Sequence, residues 1–131
     1  MRALDTNVLV RALVQDDAAQ AKRAQSLLGA EPVYIPVTVV LELEWVLRSR
    51  YGYSPKTIAD TLEKLAILEN AVVGEQAAVV TAATKLRQGW DFADALHHAL
   101  SAGCDDFVTF DTALARRAQR DKSTVPPVSA I

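Results

Sequence analysis

Four short apolar runs, "MRAL", "VYIP", "NAVVG" and "DFVTF", recur along this chain, each followed by a longer stretch with apolar residues at helical spacing. That alternation is the strongest constraint on the fold. Runs this short cannot be helices, and the segments between them are long enough to cross back over a sheet. "MRAL" predicts a first strand and residues 6–14 a short helix; "DDAAQAKRAQSLLG" predicts a second helix ending at Gly29. After "VYIP", Pro36 marks the turn into a long apolar helix over residues 37–50. The next helix, in "GYSPKTIADTLEKLAIL", has Ser54 as N-cap and Pro55 at its first position. Following "NAVVG", residues 75–88 predict a helix stopped by Gly89, and "DFADALHHALSAG" another stopped by Gly103. "DFVTF" leads through Asp111 into the helix "TALARRAQR", and the tail "STVPPVSAI" adds a weak final strand whose prolines confine it to an edge. The expected fold is α/β, a three-layer sandwich around a central parallel sheet. In such sheets ligands bind beyond the carboxyl ends of the strands.

With 131 residues and no repeat or Pro/Gly/Ser-rich linker, the chain reads as a single domain over residues 1–131. No apolar run reaches the roughly 18 to 20 residues of a membrane span, and no signal-peptide core precedes Asp5. The single Cys104 excludes an internal disulfide and a multi-cysteine metal site. A soluble, cytoplasmic domain without membrane contact is the expectation. The net charge is -2, so overall charge does not mark a nucleic-acid binder. Its distribution is uneven, with Lys85, Arg87, Arg116, Arg117, Arg120 and Lys122 all towards the C-terminal end, from residue 85 on.

The acids carry the chemistry. Asp5 and Asp111 both fall at expected strand ends, hence at one edge of the sheet. Each has a structural reading, a turn former or an N-cap, and a functional one, a carboxylate facing a metal. For Asp5, Thr6 and Asn7 supply local hydrogen bonds; Thr109 shares a strand face with Asp111. In "VTVVLELEWVLRSR", Glu44 pairs with Arg48 four residues on, an ordinary surface pair. Glu42 has no cation at helical spacing, so it is either solvated at a helix edge or a half-buried ligand. Trp45 on the same helix is either core or groove wall. In "WDFADALHHAL", Asp91 fits an N-cap, while Asp94 is either its capping partner or a ligand. Asp105 and Asp106 read as turn acids. His97 and His98 are adjacent and diverge on a helix, against a histidine-based zinc site.

Carboxylates converging without cations repel, and divalent ions are the natural compensation. An oxygen-only set favours Mg²⁺ or Mn²⁺, which retain waters that serve as nucleophiles in phosphodiester hydrolysis. Gly-rich phosphate loops and the G-x-S-x-G elbow are absent from the sequence.

Four stretches in order, "LDTNVLVRAL", "VVLELEWVLRSRYGY", "DFADALHHAL" and "FVTFDTAL", resemble the PIN-domain ribonucleases, most closely the VapC-type toxins of toxin–antitoxin pairs. The resemblance spans nearly the whole chain. It implies an acidic site at Asp5, Glu42, Asp94 and Asp111, supported by Thr6, Asn7 and Thr109. Where some relatives bear a further acid, this chain has Ala113. It further implies Mg²⁺- or Mn²⁺-dependent RNA cleavage, a homodimer, and a small antitoxin whose C-terminal segment covers a groove walled by the Trp45 helix. An RNA substrate such as tRNA or rRNA fits this expectation, with Arg48, Arg50, Lys85 and Arg87 as backbone contacts on charge alone. A non-catalytic module receiving a basic partner peptide, and a nuclease acting on structured DNA, are the alternatives.

Overall fold

The computed structural model describes residues 1–121 and 124–131. Lys122, counted above among the clustered cations, and Ser123, the start of the tail, lie outside the described residues. The first half of the chain runs β1 (Arg2–Ala3), α1 (Thr6–Val14), α2 (Ala18–Ala30), β2 (Val33–Ile35), α3 (Val37–Ser49) and α4 (Pro55–Ala66). The second half runs β3 (Ala71–Val73), α5 (Gln76–Arg87), α6 (Phe92–Leu100), β4 (Phe107–Thr109), α7 (Thr112–Arg120) and β5 (Val128–Ala130).

Every strand pairing among the described residues is parallel. Arg2 stands opposite Val33, Val33 opposite Ala71, and Phe107 opposite Val128. The fold is therefore the expected α/β/α sandwich, but its ladder comes in two pieces, β1-β2-β3 and β4-β5. No hydrogen-bonded ladder joins the pieces among the described residues. β1, only two residues long, is paired with β2 alone. The final strand, paired with β4 alone, lies at an edge, and Pro126 and Pro127 fall just ahead of it, not within it.

Val33 and Ile35 of β2 are fully buried, and Val40, Leu43 and Leu47 of α3 line up on the core side at spacings of three and four residues. Two helix ends differ from expectation. α2 continues through Gly29 to Ala30, because that glycine faces open space and nothing there demands a turn. α6 stops at Leu100, ahead of Gly103, where the Ser101 hydroxyl donates to the His97 carbonyl at 2.8 Å. The expected stop after α5 holds, with Gly89 at φ +97.

Glu44 is the largest departure from the surface pair expected. It is 3% exposed, adjoining Leu43 on the inward stripe, while Glu42 faces outward. Arg48 does reach it, with Nε donating to Oε2 at 2.8 Å and Nη2 to Oε1 at 3.4 Å. Arg48 itself is half in solvent, so the pair closes the edge of the core with its carboxylate inside and its guanidinium at the surface.

At the other end, His98 is 1% exposed, and its Nε2 donates to the Pro126 carbonyl at 2.7 Å. The ring packs tilted on Trp90 and edge-on to Phe107, each at 5.8 Å. This contact ties α6 to the tail that enters β5.

Removing Arg48 strands a buried carboxylate, whereas replacing both partners with apolar groups does not. Arg48→Ala is expected to lower unfolding free energy by about 2–3 kcal/mol, below the full buried-pair penalty because Arg48 is partly solvated. Glu44→Met with Arg48→Met is expected to recover most of it in urea melts. Equal losses in the two variants would mean that packing, not charge, controls this edge.

Candidate active site

Four aspartates begin helices: Asp17 caps α2 by accepting from the Gln20 N–H at 3.1 Å, and the other three lie among the acids singled out above. Asp5 follows β1 and caps α1, its Oδ1 accepting from the Thr6 N–H at 2.8 Å. Asp91 caps α6 through Oδ2, which accepts from the Asp94 N–H at 3.0 Å. Asp111 follows β4 and caps α7, its Oδ1 accepting from the Leu114 N–H at 3.0 Å, while its own N–H donates to Thr109 Oγ1 at 3.0 Å. Capping explains the local conformation at each, since a short carboxylate satisfies otherwise orphaned N–H groups.

Asp94 is different. It lies half-buried in the first turn of α6, and its carboxylate has no hydrogen-bond partner among the described residues. Burial pushes its carboxyl above the usual range; the negative charges of Asp91 and then Asp111 push it further, with His97 opposing. Asp94 and Asp111, 17 positions apart in sequence, are thus within electrostatic reach across the fold.

Glu42 is exposed on α3. It lines a groove of about 330 Å³ with Leu41, Trp45, Arg48 and Ala93, the last being the neighbour of Asp94. Glu42 and the Asp94 turn therefore border one groove. Trp45 is 49% exposed there, a wall and not core. No hydrogen bond or ion pair joins Asp5 to the other three acids among the described residues. Asn7, exposed, opens onto a separate groove of about 530 Å³ lined by Arg11 and Arg23. Asp91, read from sequence as a cap alone, also belongs to the charge around Asp94. Its spacing of three residues from Asp94 on one helix face was the available signal.

The cations expected at RNA are mostly engaged. Arg48 holds Glu44, Lys85 Nζ donates to Asp121 at 2.8 Å, and Arg87 is shared by Asp60 and Glu63, which drives its guanidinium pKa upward. Arg50 lies over the Trp45 ring at 5.9 Å.

The donors fit a hard divalent cation in kind. All are oxygens, and beside Asp5 the Thr6 Oγ1 is buried, 3% of the residue being exposed, with no partner among the described residues. Among the described residues no three acids stand close enough to enclose one ion. A hexahydrate-like ion held by one or two carboxylates and several waters suits this open arrangement.

The PIN domain family matches residues 2–120. The chain belongs to that family. The PIN domain is generally a nuclease fold acting on nucleic acid, and usually depends on divalent metal. No curated protein and no solved structure matches this PIN domain. None of its helices, among the described residues, is long and apolar enough to cross a membrane.

A carboxyl whose folded pKa is raised binds its proton more tightly in the native state than in the unfolded one. Its contribution is fully favourable below the unfolded carboxylate pKa and disappears as pH rises through the folded value. In a chelator, Asp94→Asn is therefore expected to raise Tm by about 1–3 °C at pH 7. The gain should shrink as pH falls toward the ordinary carboxylate range. A lower Tm for the variant at pH 7 would mean that the helix-dipole benefit of the charge outweighs its repulsion.

Proposed function

We propose that residues 1–131 form a single PIN domain acting as a metal-dependent endoribonuclease, the VapC-type toxin of a toxin–antitoxin pair, cutting tRNA or rRNA in the cytoplasm. The reading is carried by Asp94, an unpartnered, half-buried carboxylate pressed by the charges of Asp91 and Asp111 in a fold that is generally a nuclease. Stabilising that concentration of negative charge calls for a cation from outside the chain.

Asp5, Glu42, Asp94 and Asp111 would hold Mg²⁺ or Mn²⁺ directly or through water, with no more than two of them touching one ion directly. When bound, such an ion neutralises charge at the phosphate and makes a water nucleophilic near neutral pH. The chain's own residues do the positioning. The Thr6 N–H fixes one oxygen of Asp5 and the Leu114 N–H one oxygen of Asp111, leaving the second oxygen of each without a protein partner among the described residues. Thr109 holds the turn before Asp111 through its hydroxyl. The buried Thr6 hydroxyl is a spare hydrogen-bonding group beside Asp5. The ordered sequence motifs, "LDTNVLV" through "TFDTAL", support the toxin class. On this reading the protein is a homodimer, and an antitoxin segment carrying a basic side chain covers the groove beside Trp45, whose exposed ring and neighbouring Glu42 suit such a peptide.

One observation favours a non-catalytic module that only receives a basic peptide: no three acids among the described residues are within reach of one ion.

Cleavage of a tRNA and rRNA pool by purified protein with Mg²⁺ or Mn²⁺ decides between them, with a chelator and Asp5→Asn as controls. The expected outcome is metal-dependent cutting, lost by at least about 10²-fold in Asp5→Asn, with 3′-hydroxyl and 5′-phosphate ends. Folded, antitoxin-free protein that binds Mn²⁺ but cuts no RNA would favour the binding module. A 2′,3′-cyclic phosphate end would rule out water as the nucleophile.

A further inference from the structure

We propose that the outer face of α7, Arg116, Arg117 and Arg120 with the cleft beside it, binds phosphates of the single RNA strand next to the cleavage site. This inference rests on the ribonuclease reading above.

The distribution of paired charge points to this face. Arg2, Arg11, Arg48, Lys85 and Arg87 each meet an acid within salt-bridge distance. Among the described residues Lys22 and Arg23 on α2, Lys56 and Lys64 on α4, and Arg50 meet none, but α7 is the helix that carries three such cations, Arg116, Arg117 and Arg120, all exposed. They also repel one another. Arg116 and Arg120 are four apart on one helix and Arg117 and Arg120 three apart, spacings at which like charges destabilise a helix. No acid is interleaved on this helix, in contrast to α3, where Glu44 precedes Arg48 by four. Cations in a last helical turn do complement the dipole, but that accounts for Arg117 and Arg120 and not for the added repulsion from Arg116.

The face is also shaped. A polar cleft of about 390 Å³ lies between α7 and the end of α5, lined by Gln88, Trp90, Arg117, Arg120 and Asp121. Arg117 Nη1 donates to the Gln88 carbonyl at 3.3 Å. It passes so close to Gly89 that a Cβ there would lie 2.9 Å from Nη1, and Gly89 sits at φ +97, where a side chain is strained. The guanidinium is thereby held at the mouth of the cleft by backbone, not neutralised by a carboxylate. Asp121, the acid at this cleft, is already bonded to Lys85.

Position links the cleft to the chemistry. α7 begins at its cap, Asp111, one of the four acids assigned above. At helical rise, Arg117 and Arg120 follow it by roughly 9 and 13 Å along the axis. Helical side chains lean toward the N-terminus, hence toward the acids. A strand with one phosphate at Asp111 has its neighbouring phosphates within reach of these guanidinium groups. Arginine supplies forked donors that match phosphate oxygens.

The test uses Arg116→Ala/Arg117→Ala/Arg120→Ala, the same triple to Lys, and a control triple, Lys22→Ala/Lys56→Ala/Lys64→Ala, that removes equal charge elsewhere. Binding of a labelled single-stranded RNA is measured in chelator against salt, and cleavage with Mn²⁺ in parallel. Each phosphate contact contributes about 0.7 to the slope of log K against log salt for a single strand. The alanine triple is expected to lower that slope by about 2, weaken binding by roughly tenfold or more and raise KM, with kcat within about twofold. The lysine triple should retain most of the slope, and the control should match wild type. Unchanged slope and KM in the alanine triple overturn the proposal, as does an equal loss in the control. If wild type binds RNA with this α7-dependent slope but never cuts, the nuclease reading falls and the binding face stands. Wild type that neither binds nor cuts overturns both.

Discussion

An aspartate carboxylate accepting a backbone N–H at the start of a helix is the contact on which the arrangement of this molecule turns. It occurs at Asp5, Asp17, Asp91 and Asp111, where α1, α2, α6 and α7 begin. Each cap satisfies donors the helix cannot satisfy itself and sets the angle at which the chain leaves the preceding strand or loop. The positive end of the helix dipole also favours each negative charge. Local folding chemistry is therefore enough to hold acids at strand ends. Asp94 adds the feature that capping does not explain, a carboxylate inside the first turn whose ionisation is opposed by burial and by its neighbours.

Cations follow a complementary rule. Near the core edge they are matched one to one, Arg48 with Glu44 and Lys85 with Asp121, while Arg87 bridges α5 to Asp60 and Glu63 on α4. Lys85 also stacks its ammonium 4.5 Å above the Trp90 ring, so its charge is absorbed by the fold. On α7 the pattern breaks, and three guanidinium groups stand without acids on the helix that Asp111 opens. Local disagreement with stability rules of this kind is characteristic of functional surfaces. The negative end and the positive face of one helix give a polarity that suits an elongated anion.

Much of this was legible beforehand. Apolar runs and helical spacing located every strand and helix to within a few residues, and α1 and α7 have the bounds the spacing predicts. Ser54, with Pro55 after it, and Asp91 made the capping contacts that their side chains favour, accepting from the Thr57 and Asp94 N–H groups. Expectation and structure part mainly at helix ends: Gly29 and Gly103 suggest stops by residue type, yet a glycine stops a helix only where the chain needs the turn. Among the acids, residue types and order were readable, but not exposure. Glu42 and Glu44 differ by two positions on one helix, about 200° of rotation. Which of them faces the core depends on where α3 meets its neighbours.

By itself, then, the sequence determined the alternation of strands and helices, the caps, and the order of the acids, because each depends on residues adjacent along the chain. Only the tertiary structure decided that Glu44 is buried while Glu42 is exposed, that Trp45 lines a groove, and that Asp94 feels Asp111. It also decided which cations meet acids. These are contacts between segments far apart in sequence, and their geometry follows from how the elements pack together, which no local pattern encodes.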